Sequence, residues 1–204
     1  LDFSPEINYH KHYINRYAFL FNEYIGNKYV YLPELSLRYT GQKTFQFDNS
    51  HKTIALYLGG ENKEFRKYPD EYAVQLLRLL NRQGYNLLLI GDENDNIKHT
   101  QYAEEARIDH LINLTARTTI EGFINTIANV DLIITIDSSA LHIAAAVKTP
   151  FIALMGLSTS PTSTILPKVP LGRILKIENN LIREEDYIRN ITPDLILKTI
   201  SELI

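Results

Sequence analysis

Within six residues, Asp137-Ser138-Ser139-Ala140-Leu141-His142 gathers a carboxylate, two hydroxyls and an imidazole, directly after the β-branched run from Leu132 to Ile136. A run of that length is a buried strand, and Ser138 or Ser139 can cap the helix that follows. Backbone amides in the first turn of such a helix form an anion site, aided by the helix dipole and by the two hydroxyls. His142 comes three residues after Ser139 and projects from the same face. A phosphate is the natural guest. The plainer reading is that Ser138 only caps and His142 only packs.

Two further groups could act on the same guest. The loop from Gly59 to Tyr68 carries Lys63, Arg66 and Lys67, and one cation there could pair with a diphosphate and steady a leaving group. Otherwise such a loop is simply solvated. Asp92 and Glu93 follow the apolar run Asn86 to Ile90, and an acid at that strand end of a nucleotide-binding sheet commonly takes a ribose hydroxyl. Gly59-Gly60 falls short of Gly-x-Gly-x-x-Gly. Walker, His-Glu-x-x-His, paired-His and EF-hand spacings are missing from the sequence. An ordinary dinucleotide dehydrogenase or P-loop enzyme is therefore disfavoured, and no protein-made metal site is expected.

The elements that must position these residues alternate from Lys52 onward. Strands are expected at Thr53 to Leu58, Asn86 to Ile90, Ile112 to Leu114, Leu132 to Ile136, Phe151 to Met155 and Arg173 to Ile177. Between them, helices are expected from Pro69 to Gln83, from after Glu93 to Arg107, through Ala128 from a Thr118-Thr119-Ile120-Glu121 capping box, and through the alanine-rich stretch after Ser139. A last helix is capped by Thr192, begins at Pro193 and ends near Leu203. The pattern is α/β, a doubly wound, Rossmann-like parallel sheet of about six strands, and right-handed crossovers give the order 3-2-1-4-5-6. The ligand crevice then lies between the first and fourth strands, with the Gly59-Gly60 and Asp137-Ser139 loops facing each other across it. Gly156 to Pro170 reads as a long functional or flexible loop.

Residues 1–50 differ in texture. Tyr9, His10, His12, Tyr13, Tyr17, Phe19, Phe21, Tyr24, Tyr29, Tyr31 and Tyr39 crowd this part, and Ile14, Tyr17, Ala18, Phe21 and Ile25 follow helical spacing up to Gly26. They read as a helix and a linker, with aromatics that suit an interface and invite self-association as a dimer.

Composition bounds the rest. The 204 residues are 45% hydrophobic and 22% charged with a net charge of −3, values of a globular protein without a nucleic-acid footprint. The sequence has no cysteine, which rules out disulfides and thiolate chemistry and fits a reducing, cytoplasmic setting. No apolar run approaches the roughly 18 residues of a transmembrane segment. The chain starts at Leu1 and its one methionine is Met155, so it reads as a piece of a longer protein.

Three stretches resemble glycosyltransferase family 9, the bacterial heptosyltransferases of lipopolysaccharide core synthesis. Asp137 through Ala146 is similar to that family's Asp-Ser/Thr-Gly-x-x-His-x-x-Ala-Ala signature. Arg66-Lys67-Tyr68-Pro69 resembles its Lys-x-Trp-Pro element, and Asn113-Leu114-Thr115 through Ile120 resembles its Asn-Leu-x-Gly-x-Thr/Ser-Leu segment. Ser139 departs from the pattern, standing where the family usually has glycine. The resemblance implies the C-terminal half of a GT-B fold: residues 51–204 as the nucleotide-sugar-binding domain of an inverting transferase, and residues 1–50 as the end of an N-terminal domain. It implies an ADP-heptose-like donor, no required cofactor, and a glycolipid acceptor reached through the other domain at the inner face of the inner membrane. By the same resemblance Arg66, or Lys67 one position on, is the phosphate cation. Asp137 contacts the sugar, and Ser138, Ser139 and His142 the diphosphate. Asp92 or Glu93 takes the ribose, and Leu114 and Thr115 flank the base. The general base belongs to the other domain, so this chain alone transfers nothing. The rivals are another GT-B sugar transferase or epimerase, and a non-catalytic nucleotide-binding module.

Overall fold

A computed structural model of the chain describes Tyr24, Gly26 and residues 36–47, 50–59, 67–156, 167, 170–176 and 184–204, the side chains of 184–186 excepted. Gly60, Lys63, Arg66, most of the 156–170 loop, and the helix expected up to Gly26, apart from Tyr24 and Gly26 themselves, lie outside the described residues.

Six parallel strands form one sheet: β1 (Thr53–Tyr57), β2 (Asn86–Leu89), β3 (Leu111–Asn113), β4 (Leu132–Ile136), β5 (Phe151–Met155) and β6 (Gly172–Lys176). Their order is β3-β2-β1-β4-β5-β6, as the crossover rule requires. Every residue of β1, β2, β4 and β5 is buried, which is why these strands are near-continuous apolar runs rather than alternating ones. The edge strands differ. β3 is half-buried throughout and β6 exposes Ile174. Weak apolar constraint at both edges accounts for the one-residue offsets from the expected bounds, 111–113 instead of 112–114 and 172–176 instead of 173–177.

The helices are α1 (Asp70–Arg82), α2 (Asn96–Ala106), α3 (Ile120–Ala128), α4 (Ser139–Val147) and α5 (Pro193–Ile200). α1 packs against α2 and α5, and α3 packs against α4. Strand order reverses after β3, so right-handed crossovers put these two groups on opposite faces of the sheet. In α1 the buried residues Ala73, Val74, Leu76, Leu77 and Leu80 follow helical spacing; each buried leucine contributes about 1.5–3 kcal/mol relative to an exposed one.

Three expected helix ends shift for local reasons. A 3₁₀ turn, Glu93–Asp95, precedes α2, because the Asp92 side chain accepts from Asn94 N and closes a tight capping box. The cap of α3 is Thr119, whose hydroxyl accepts from Gly122 N at 3.1 Å, and not Thr118. α5 stops at Ile200, and a turn carries the chain to Leu203.

Residues 37–47 lie along α3 and α4. Leu37 N donates to Ala146 O at 3.3 Å, Gly41 N to Asn125 Oδ1 at 3.1 Å, and Asn125 Nδ2 to Thr40 Oγ1 at 2.8 Å. The Thr44 and Thr126 hydroxyls are 2.5 Å apart. Asn125 and Thr126 are thus buried polar residues with partners.

Candidate functional site

The C-terminal ends of β1, β2, β3 and β4 build one rim of the sheet. β1 and β4 are direct neighbours, with Tyr57 opposite Thr135, so Gly59 and Asp137 leave adjacent strand ends at the point where the strand order reverses. Asp137, Ser138 and His142 are half-buried there and Ser139 is exposed. Ala140, Leu141 and Ala144 are fully buried, so small side chains hold the start of α4 close to the sheet.

Ser138 occupies the cap position of α4 in an extended conformation, yet its side chain caps nothing. Its hydroxyl lies 2.9 Å from Thr135 Oγ1, while Thr135 donates to Ile136 O at 2.9 Å. Thr135 has one hydroxyl proton, and the carbonyl takes it; Ser138 is therefore the donor to Thr135. Leu141 N bonds to Ser138 O at 3.3 Å. The amides of Ser139 and Ala140 have no acceptor among the described residues, and they stand at the positive end of the helix dipole.

Of the acids after β2, Asp92 and Glu93 are exposed, and Asp92 is committed to its turn through Asn94 N at 2.8 Å. The acid inside the rim is Asp95, only 4% exposed. A Cβ on Gly59 would fall 1.7 Å from its Oδ1, and one on Gly91 would fall 2.7 Å from its Oδ2. Asp95 Oδ2 also accepts from Asp92 N at 3.2 Å. Sequence reasoning passed over this residue. The available signal was a pair of glycines closing adjacent strands, which leaves room for one side chain between them.

Lys67 is half-buried beside the start of α1 and shares Asp70 with Lys98 and Tyr102. Burial pushes the Asp70 pKa up. Hydrogen bonds from Lys98 and Tyr102 and the charges of Lys98 and Lys67 outweigh it and hold the carboxyl below its usual value. Next to Lys67, the fully buried Tyr68 donates its hydroxyl to Ile191 O at 2.9 Å, tying this rim to the segment that leads into α5. Burial raises that phenol's pKa well above the ordinary tyrosine value.

At the end of β3 the turn Leu114–Arg117 borders a cavity of about 350 Å³ with Thr118, Glu121 and Lys43 among its other lining residues. Leu114 is half-buried. Thr115 is fully buried, its hydroxyl 2.7 Å from His99 Nδ1. A larger cavity of about 920 Å³ lies at the opposite rim, beside Lys43, His51, Asn86 and Asp131. Polar groups there secure the entry into β1: Asp131 Oδ2 accepts from Thr53 N at 2.8 Å and Asn86 Nδ2 donates to His51 O at 3.0 Å. Among the described residues no three His, Asp or Glu side chains converge as a metal site, and no helix is long and apolar enough to cross a membrane.

A doubly wound sheet with helix amides at its switch point that have no acceptor among the described residues is an architecture suited to holding an anion. The model of glycosyltransferase family 9 (heptosyltransferase) matches residues 2–185, and the chain belongs to that family. It is 31% identical over 158 residues to lipooligosaccharide heptosyltransferase 2 of Haemophilus influenzae, covering 72% of this chain and 45% of the relative. Against lipopolysaccharide heptosyltransferase 2 of Escherichia coli it is 24% identical over 172 residues, covering 78% and 49%. The chain thus spans about half the length of the curated relatives it matches. Among solved structures, the E. coli ADP-heptose lipopolysaccharide heptosyltransferase II superposes with a TM-score of 0.71 at 23% identity, covering 86% of this chain and 54% of that one. An E. coli heptosyltransferase solved with ADP-2-deoxy-2-fluoro heptose superposes with a TM-score of 0.67 at 17% identity, covering 96% and 57%. The α/β fold expected from sequence is the fold these structures share.

Proposed function

We propose that this chain is the donor-binding half of an inverting heptosyltransferase, taking an ADP-heptose-like nucleotide sugar for lipopolysaccharide or related surface-glycan synthesis. The observation that carries the reading is the start of α4, where two amides without acceptors among the described residues meet Asp137, Ser139 and His142 on the rim. On this reading the diphosphate sits on the Ser139 and Ala140 amides with a cation from Arg66 or Lys67, Asp137 faces the sugar, and the base lies near Leu114. Asp95, rather than Asp92 or Glu93, is the acid placed for the ribose. When the sugar departs, the diphosphate gains negative charge, and preorganised amides and a cation meet that charge where it develops. The acceptor hydroxyl loses its proton to a base outside this chain. Nucleotide sugars are made in the cytosol, so transfer to a lipid-linked acceptor would run at the inner membrane face.

Calorimetric titration of the chain with ADP, UDP and GDP tests the assignment. Saturable binding with ADP preferred is expected. Preference for another base would move the chain to a different donor, and failure of all three would leave a non-binding module.

A further inference from the structure

The β3–α3 turn contains a conformation its sequence does not favour. Ala116 has φ +59°, a left-handed geometry that costs a residue with a Cβ about 1–2 kcal/mol. Backbone and neighbouring groups hold part of the turn: Leu114 N to Leu89 O at 2.8 Å, Ala116 N to Gly91 O at 3.1 Å, Arg117 N to Leu114 O at 3.0 Å, and Thr115 N to Asn113 Oδ1 at 3.0 Å. One side chain reaches the turn from another helix. His99 of α2 is completely buried and bonds Thr115 Oγ1 through Nδ1 at 2.7 Å. Its Nε2 is buried with no partner among the described residues. An apolar residue would fill the same space without leaving a buried nitrogen unsatisfied, a cost of about 1–3 kcal/mol. The imidazole carries that cost at the position where its other nitrogen grips the turn.

We infer that His99 is a positioning residue that, through Thr115, latches the left-handed Leu114–Arg117 turn into the shape that receives the donor's base. The inference rests on the proposed donor-binding role. The Thr115 hydroxyl faces inward, so its part is to hold the turn; the half-buried Leu114 and the exposed Arg117 line the cavity.

The test uses the full chain with ADP as probe, and hydrogen exchange at the Ala116 and Arg117 amides as a readout that needs no ligand. Thr115→Val keeps shape and removes the hydroxyl; ADP affinity should fall about threefold to tenfold, the size of one hydrogen bond, and both amides should exchange faster. His99→Gln, whose amide reaches the Nε2 position, should behave alike, and His99→Asn, whose amide overlays Nδ1, should recover most of the loss. Adding Ala116→Gly to Thr115→Val should restore affinity, because glycine adopts the left-handed region without penalty. A residue that merely fills the core would show neither rescue. Folded Thr115→Val with unchanged affinity and unchanged exchange overturns the latch. So does a loss that Ala116→Gly cannot restore. If the parent chain binds no ADP, the donor-binding reading falls, and exchange at Ala116 and Arg117 alone decides the latch: faster in Thr115→Val supports it, unchanged overturns it.

Discussion

The hydroxyl of Ser138 turns inward to Thr135 Oγ1, 2.9 Å away, instead of over the first turn of its own helix. Thr119 and Thr192 do the opposite, closing α3 and α5 on Gly122 N and Leu195 N. Thr135, fully buried in β4, thereby keeps the α4 amides available to an anion.

Replacing Thr135 by Val removes the acceptor that holds Ser138. Ser138 is then free to cap α4 and to compete with a bound phosphate, so nucleotide affinity should fall by about fivefold, the equivalent of a cap of about 1 kcal/mol. The cycle is completed with Ser138→Ala. In that background Thr135→Val should cost nothing further, as measured by ADP titration. An equal loss with and without Ser138 would show that Thr135 acts only through the strand.

His99 makes stability depend on pH in a defined direction. Burial lowers its pKa from 6.5 to about 4, and only the charge of Asp92 pulls the other way; Tyr102 and Thr115 are its uncharged neighbours. Below pH 6.5 the unfolded chain binds a proton that the folded chain refuses, so stability is complete above 6.5 and is lost as pH falls toward 4. The full difference is of order 3 kcal/mol. Urea unfolding at pH 7 and pH 4.5 should show a larger drop for the parent than for His99→Asn, and equal drops would contradict the buried neutral state.

Two glycines should respond oppositely to alanine. Gly59→Ala drives a Cβ into the Asp95 carboxylate and should cost about 1–3 kcal/mol while displacing the acid from the rim. Gly122 lies inside α3, where the nearest atoms to an added Cβ are the Thr118 Cβ and the Thr119 Oγ1, both at 3.4 Å and in ordinary contact. Gly122→Ala should therefore stabilise by about 0.5–1 kcal/mol through helix propensity. Denaturant midpoints of the two variants read both signs.

The sheet was legible because its inner strands are buried on both faces: Leu132 to Ile136 and Phe151 to Met155 are apolar at every position except Thr135. That one exception sits beneath the candidate site, and strand pattern alone treats Thr as an ordinary β-former. The Asp137 to His142 segment was legible because its polar residues follow a strand directly. Asp95 was not, since its place inside the rim depends on Gly59, 36 positions earlier, standing beside it in the adjacent strand end. His99 looked like any helix residue for the same reason: its partner is on another element. Choosing Thr119 over Thr118 as a cap turns on backbone geometry, and both threonines satisfy the local pattern.

The strap from Leu37 to Phe47 is stitched to α3 by Asn125 and Thr126 and to the end of α4 through Ala146. For anyone grafting this unit onto another domain, or expressing it alone, the cut belongs upstream of Leu37. Starting at Lys52 would leave Asn125 without Thr40 and Gly41 and would remove the half-buried rings of Phe45 and Phe47, uncovering the core they pack against, so the trimmed piece should aggregate before its chemistry could be judged.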